Sequence, residues 1–342
     1  MGIFGFFTED VAIDLGTANL LIMHRNKVVV DGPSVIAINR QTGKVIAIGR
    51  EAGIMMGKTH DNIKIIRPLK DGVIADFDAS EKMINAYVKT IPALKKRVFA
   101  PALRMAVCIP SGITEVEMRA VRESAERANA REVYMVQEPL AAAIGMGIGI
   151  MESRGSLVVD IGGGTTEVAV ISLGGIVCDK SVKIAGDVLT DDIIQYVREE
   201  HNLFLGEVTA EKIKMTIGAA TEHLEHPPDP MDVQGRDLLS GKPKQIRMSH
   251  TEIARALDKS LQRIEAAVME VLSATPPELS ADIYNTGIHL AGGGALLKGL
   301  DKRLTQRTDL PVCVAQNPLR AIVEGTNTVL KEYTKYRNMM FT

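Results

Sequence analysis

Much of what would place this sequence in a familiar class is missing from it. There are three cysteines in 342 residues, Cys108, Cys178 and Cys313, and no Cys-x-x-Cys. So low and odd a count, with no close pairing, argues against a disulfide framework. Each cysteine stands in an apolar, strand-like run (Met105–Ile109, Gly175–Cys178 and Val312–Val314). All three are therefore read as small buried hydrophobes in a reducing compartment. The seven histidines form no cluster with metal-ligand spacing. An excess of either charge is also missing. The formal net charge is −2, without the basic surplus that marks nucleic-acid binding, so no nucleic-acid partner is expected. No apolar run reaches the roughly 20 residues that span a bilayer. The opening Met1-Gly-Ile-Phe-Gly-Phe-Phe7 has no basic n-region, no long apolar core and no cleavage site, so it is not a secretory signal. Phe6 stands where a myristoylation start requires Ser or Thr. The expectation is a cytoplasmic protein.

What is present describes a globular α/β chain. Hydrophobic residues make up 46% and charged residues 24%, proportions of a folded chain and not a disordered one, and the length suggests two domains. The clearest pattern is an internal echo. Residues 11–17 read Val-Ala-Ile-Asp-Leu-Gly-Thr, and residues 157–165 read Leu-Val-Val-Asp-Ile-Gly-Gly-Gly-Thr. In each, a β-prone run ends in an Asp, a glycine turn with Thr, and a second apolar run (Leu20–Met23; Val168–Ile171). That is a β-hairpin with an acid at the entrance of its turn, and its recurrence predicts two related domains facing each other. Helical spacing predicts helices over 78–91, 114–130, 139–146, 187–200, 209–217 and 250–273, with Ser111 or Thr114 capping the second. Strands interleaved with helices in this order give α/β class.

The glycine turns carry the chemistry. Without Cβ atoms in the way, backbone N–H groups can approach phosphate oxygens closely, and Thr17 and either Thr165 or Thr166 add hydroxyl donors. Asp14 and Asp160 are poor direct partners for phosphate, being of like charge. They make sense with a divalent cation between, since Mg²⁺ is commonly held near phosphates by one or two carboxylates and water. A third turn, Ala291-Gly-Gly-Gly-Ala-Leu-Leu297, lies between a strand and a helix. It is a further nucleotide-loop candidate, but not the Gly-x-Gly-x-x-Gly of a dinucleotide fold, and no Gly-x-x-x-x-Gly-Lys-Ser/Thr occurs in the chain. Glu211 and Lys214, three apart, share one helix face. Ala141-Ala-Ala-Ile-Gly-Met-Gly-Ile-Gly149 lines small residues along one helix; small side chains allow a close crossing and glycine permits bending.

Here the residues carry a resemblance. Asp14–Thr17, Val107–Ser111, Gln137–Ala143, Asp160–Thr165 and Gly292–Leu296 resemble, in order, the five motifs of the actin, sugar-kinase and heat-shock-chaperone ATPase superfamily. The stretches Asp14–Asn19, Ile66–Asp76, Asp160–Val170, Thr275–Asp282 and Gly292–Leu297 resemble more closely still the MreB family of bacterial actins, and the likeness extends over about residues 9–335. The resemblance implies an actin-like ATPase fold with ATP or ADP and Mg²⁺ in the cleft between two domains. One domain would span residues 1–145, with a small subdomain at about 32–66 and completion by 318–342. The other would span 146–317, with a small subdomain at about 183–250. The resemblance also implies a hinge and domain interface in the small-residue run 141–149.

It also implies roles by position. Asp14, Gly16, Thr17, Ala18 and Asn19 would form the first phosphate loop, and Gly162, Gly163, Gly164 and Thr165 the second. Glu211, Lys212, Ile213 and Lys214 would reach the adenosine from the side, with Gly292, Gly293, Gly294, Ala295 and Leu296 as the adenosine motif. Asp14 and Asp160 would hold Mg²⁺ through water. Glu138, helped by Gln137 and Thr165, would position the attacking water, and Asp160 would act through the metal. Finally, the family implies self-assembly into paired filaments on the inner face of the cell membrane. It implies RodZ, MreC, MreD and cell-wall synthesis enzymes as partners, and rod shape through organised peptidoglycan synthesis.

Two segments fit a membrane surface. Ile3, Phe4, Phe6 and Phe7 form an uncharged apolar end, although no Lys or Arg precedes Arg25. In Lys95-Lys-Arg-Val-Phe-Ala-Pro101, Val98 and Phe99 stand beside three cations, an arrangement that inserts apolar tips while its charges meet anionic lipid. A metabolic kinase of the same fold would need a surplus segment for an acceptor pocket. A chaperone would need a substrate-binding region beyond the last helix, and the sequence stops soon after it, at Thr342.

Overall fold

The computed structural model describes residues 8–91 and 102–342. Its frame is a pair of sheets built on one plan. In the first, six strands lie in the order Met340–Phe341, Ala130–Gln137, Ala102–Ile109, Thr8–Leu15, Asn19–His24, Lys27–Pro33. In the second, five lie in the order Gly175–Val182, Thr166–Ser172, Ser156–Ile161, Ile288–Ala291, Val312–Val314. Each sheet contains one of the echoed hairpins, Thr8–Leu15 with Asn19–His24 and Ser156–Ile161 with Thr166–Ser172. In each, the first hairpin strand pairs in parallel on its other side, with Ala102–Ile109 or with Ile288–Ala291. The repeat read in the sequence is thus a repeat of topology. Every residue of Ser156–Ile161 and Thr166–Ser172 is buried, because layers cover both faces of this sheet. That explains the near-continuous apolar runs in place of alternation.

Two smaller antiparallel sheets extend the frame. One joins Ile36–Asn39 to Val45–Ile48 and Ile63–Ile66, and the other joins Leu203–Phe204, Met231–Asp237 and Pro243–Met248. A hydrophobic core lies against each large sheet, one around Val11, Ile22, Met83 and Met105, the other around Val159, Ile193, Leu257 and Ile264. A third cluster joins the halves. It draws Val136 and Leu140 from one side and Val158 and Ile171 from the other, with Ala141, Ala142 and Ala321 between. At its centre the helices Glu138–Gly145 and Ala321–Lys331 cross at backbone contact. A Cβ added at Gly145 would overlap the carbonyl oxygen of Ala321, and one at Gly325 would overlap that of Ala141. The small-residue run in 141–149 is therefore an interface.

The predicted helices form within a few residues of their expected ends. Helix Glu115–Arg127 starts at a capping box: the Thr114 hydroxyl accepts from the Glu117 N–H, and the Glu117 carboxylate accepts from the Thr114 N–H. Such a cap contributes about 1 kcal/mol. Ser111, the other cap candidate, is used elsewhere, as described below. Helix His250–Ala274 has the same box from Ser249 and Glu252. The helices Gly49–Met55 and Pro277–Thr286 were not anticipated. The second follows Thr275-Pro-Pro, and a proline suits the first turn of a helix, where its missing N–H is no loss.

The reading of the cysteines needs correction. Cys108 is buried, but Cys178 is only partly buried and Cys313 is exposed. Cys313 lies on a three-residue strand at the sheet edge, paired only to Ile288–Ala291, so its side chain has no second layer to bury it. The candidate membrane residues Ile3, Phe4, Phe6, Phe7, Val98 and Phe99 lie outside the described residues. Among the described residues, no helix is long and apolar enough to cross a membrane.

Candidate functional site

The three glycine turns, at Gly16, Gly162–Gly164 and Gly292–Gly294, are far apart in the sequence and meet where the two sheets face each other. The first turn is tight. A Cβ at Gly16 would stand 2.7 Å from the Asn19 carbonyl oxygen. The turn is held from behind by Ser34, whose hydroxyl donates to the Gly16 carbonyl (2.6 Å) and whose N–H donates to that of Ala18 (2.9 Å). The second turn lies directly against it. A Cβ at Gly163 would come within 2.6 Å of the Ala18 Cβ, and one at Gly164 within 2.6 Å of the Thr17 Oγ1. Helix Gly186–His201 supports this turn from its N-terminus, the Gly186 and Asp187 N–H groups donating to the carbonyls of Gly162 (3.1 Å) and Gly163 (2.7 Å). The third turn closes on the same strand end. Gly292 has φ +77, and a Cβ there would stand 2.6 Å from Asp160 Oδ1. Both the left-handed backbone and the close approach require glycine.

A fourth loop, not foreseen, completes the junction. Asp71 and Gly72 both have positive φ and form the two-residue turn of the short hairpin Leu69–Lys70/Val73–Ile74, as an Asp-Gly pair does in a type I′ turn. The Gly72 N–H donates to Thr17 Oγ1 (2.9 Å), and a Cβ at Gly72 would meet Pro110 Cγ at 2.9 Å and Thr165 Cγ2 at 3.1 Å.

Carboxyl groups are concentrated between these turns. Asp14 is 7% exposed, Asp160 2% and Glu138 8%. Burial pushes the Asp14 carboxyl from 3.8 up to about 7. It pushes Asp160 up to about 8, with help from the charges of Asp14 and Glu167. Glu138 is raised well above the usual carboxylate range, by burial first and then by Asp160, Glu167 and Asp14. Asp160 Oδ1 is buried without a hydrogen-bond partner. Facing acids with an orphaned oxygen are costly unless a cation joins them, so the donor set fits Mg²⁺. Among the described residues there is no group of three or more His, Cys, Asp or Glu that could hold a metal alone. Mg²⁺ characteristically takes only one or two carboxylates and completes its shell with phosphate and water.

The raised values have a measurable consequence. Both folded-state values lie above those of the unfolded chain, so between them the fold holds protons that the unfolded chain has released. The stability that these two carboxyls contribute is therefore full below about pH 4 and is lost as pH rises through about 7 and 8. Ligand-free protein is expected to lose on the order of 2–4 kcal/mol between about pH 6 and pH 8. Asp160→Asn should flatten much of that slope in chemical-denaturation curves. A wild-type curve independent of pH in this window would refute the coupling.

The other expected site residues divide. Glu211 and Lys214 are together: Lys214 Nζ lies 2.7 Å from Glu211 Oε2 and donates to the Gly186 carbonyl (2.6 Å), while Thr190 Oγ1 donates to Glu211 (2.6 Å). The pair is an ion pair that also braces the helix behind Gly162 and Gly163. Their neighbours turn away, with Lys212 exposed and Ile213 in the core, as 100° per residue requires. Gly293, Gly294 and Ala295 continue the third turn, with Ala295 buried, while Leu296 is 55% exposed. Thr165 is buried, Asn19 is exposed and Gln137 is intermediate. Gln137 is the N-cap of helix Glu138–Gly145 and makes no side-chain cap bond. Glu138 is the first residue of that helix and has no side-chain hydrogen bond among the described residues, which leaves its carboxylate free to bind something else.

Two groups were missed. Arg67 spans the mouth of the junction, donating to both Asp187 oxygens (2.8 and 2.9 Å) and pairing with Glu207. Glu167, 0% exposed, bridges Ser111 and Ser181. Both sit inside stretches quoted above for the resemblance, but the partners of Arg67 lie 120–140 residues away in sequence and those of Glu167 lie 56 and 14 away, and no local spacing announces them.

Comparisons with known proteins bear on the family and the fold. A family model described as MreB/Mbl protein matches residues 8–338. The cell shape-determining protein MreB of Escherichia coli is 45% identical over 346 residues, covering 99% of this chain and 98% of that protein. The cell shape-determining protein Mbl of Bacillus subtilis is 44% identical over 330 residues, covering 96% and 98%. Among solved structures, MreB5 of Spiroplasma citri bound to AMPPNP superposes with a TM-score of 0.89 at 39% identity, covering 97% of this chain and 98% of that one. A MamK double helical filament, 20% identical, superposes with a TM-score of 0.80 over 95% and 99% and shares the fold.

Proposed function

Since the chain belongs to the MreB/Mbl family, we propose that it is an actin-like cytoskeletal ATPase: it binds and hydrolyses ATP, polymerises, and helps set rod cell shape from the inner face of the membrane. The observation that carries this is the convergence of three glycine turns on one point between two sheets, with Asp14 and Asp160 buried beneath them. In this reading residues 1–145 with 318–342 and residues 146–317 are the two domains. Gly16–Asn19 and Gly162–Thr165 clasp the phosphates from opposite sides with backbone N–H groups and threonine hydroxyls. Gly292–Leu296 takes the adenosine, with Glu211 and Lys214 alongside. Asp14 and Asp160 hold Mg²⁺, which when bound supplies positive charge to the phosphate oxygens. Phosphoryl transfer to water is then mainly positioning plus charge stabilisation, and Glu138 orients the attacking water. The MreB5 structures bound to AMPPNP and to ADP support nucleotide as the ligand. Head-to-tail contacts would give an open polymer.

The test is electron microscopy of the purified full chain on anionic lipid, with ATP-Mg and without nucleotide, beside a phosphate-release assay. Filaments on lipid are the expected result. Phosphate release with no filaments under any nucleotide condition would return the reading to a chaperone-like ATPase of this fold, and transfer to a sugar in place of water would make it a kinase.

A further inference from the structure

Behind the glycine turns, a buried carboxylate that the reading above leaves without a task ties the two sheets together. Glu167, on the strand Thr166–Ser172, is 0% exposed. Its Oε2 accepts from the Ser111 hydroxyl and, at 3.3 Å, from the Ser111 N–H, and its Oε1 accepts from the Ser181 hydroxyl at 2.6 Å. Ser181 belongs to the neighbouring strand of the same sheet, in register with Glu167. Ser111 belongs to the other half, two residues after Ile109, the last residue of its strand. Ile109 is level with Gln137, so the loop that Glu167 grips lies beside the point where Glu138 begins its helix. The same loop touches the Asp71-Gly72 turn through Pro110, and that turn donates to Thr17. One acid thus grips the loop that lies beside the start of the Glu138 helix. A buried carboxylate serving no purpose beyond packing would be replaceable by apolar residues at no loss. This one spends its acceptor sites across the junction.

We propose that Glu167 is a positioning residue for ATP hydrolysis: through Ser111 it fixes the end of the strand Ala102–Ile109, and with it the start of the Glu138 helix, at a set distance from the Gly162–Gly164 turn. The inference rests on the ATPase reading. It places Glu167 in no contact with substrate. Its effect falls on the rate of the hydrolytic step and not on nucleotide affinity, because the glycine turns that clasp the phosphates keep their own supports from Ser34 and from the Gly186–His201 helix.

The test is a kcat against KM comparison on the full chain. Ser111→Ala is expected to lower kcat for phosphate release about ten- to a hundredfold, the scale of losing a hydrogen bond to a charged acceptor, while KM for ATP-Mg and Kd for ADP change by less than about threefold. Ser111→Thr, which keeps the hydroxyl, should recover most of the rate. An unchanged kcat in Ser111→Ala, a parallel loss of ADP affinity, or a threonine variant as slow as the alanine one overturns the positioning role. If Ser111→Ala does not fold, Glu167→Asp, which keeps the charge but withdraws it by one methylene, is held to the same split between kcat and affinity. Wild type run alongside separates the two levels. If it binds ATP and releases no phosphate, the ATPase reading and this inference fall together. If it turns over and Ser111→Ala matches it, this inference alone falls.

Discussion

Replacing Glu138 by alanine should lower ATP turnover by about 10²–10⁴-fold, the range supplied by a positioned acid–base group, with ADP affinity within about threefold of wild type. The asymmetry follows from where the side chain stands. Glu138 opens the helix Glu138–Gly145, is 8% exposed and has no side-chain hydrogen bond among the described residues, so its loss leaves no partner orphaned. The glycine turns that would hold the phosphates do not lean on its carboxylate. Burial and the charges of Asp160, Glu167 and Asp14 raise its pKa, so the folded ligand-free protein is not stabilised by having it. The alanine variant should consequently unfold at no lower denaturant concentration than wild type. Most stability-driven losses of activity would show the opposite. Glu138→Gln, of equal size, should be nearly as slow, because an amide cannot accept a proton from water. The measurements are single-turnover phosphate release and ADP titration. Release at the wild-type rate would remove Glu138 from the mechanism.

The second large effect concerns stability. In an exposed helix, Gly→Ala gains about 1 kcal/mol of helix propensity. At Gly325 and Gly145 the sign should reverse. A Cβ at either position enters the backbone carbonyl of the crossing helix, Ala141 or Ala321 respectively, and backbone cannot swing aside as a side chain can. The two helices form the centre of the core that unites both sheets, so separating them exposes that core. Overpacking costs typically 1–3 kcal/mol, and here the upper end is expected: about 3 kcal/mol or more for each single substitution, and failure to fold for the double. Gly147→Ala is the comparison. Its φ is +76 but nothing lies within 4 Å, so only left-handed strain of about 1–2 kcal/mol is expected. Urea unfolding midpoints decide the matter, and a Gly325→Ala variant as stable as wild type would show that the helices can part at little cost.

The parts of the site that were legible share a property. The Asp-and-glycine turns, the third glycine loop and the small-residue helix are each written within about ten consecutive residues, and their chemistry follows from backbone freedom, which sequence reports directly. Ser111 shows the limit. Its position before a helix made it a plausible cap, and Thr114 three residues on was equally plausible. The choice was settled by Glu167, a strand residue from the other sheet. The Asp71-Gly72 turn carries a local Asp-Gly signal, but its two strands are only two residues long, too short for a period-2 pattern to mark them. Cys313 was misjudged because an apolar run predicts a strand but not whether the strand has a second layer over it.

The sequence by itself determined the class of the fold, the twofold repeat of the hairpin, the places of the helices and the residues able to approach a phosphate, because these depend on local periodicity and on where glycine and aspartate stand. Only the tertiary structure decided which of those turns touch, that Arg67 reaches Asp187 and Glu207, that Glu167 ties Ser111 to Ser181, and that four acids share one buried space. Those facts depend on distances between residues far apart in the chain, and on the loss of water around charges, neither of which any single segment of sequence contains.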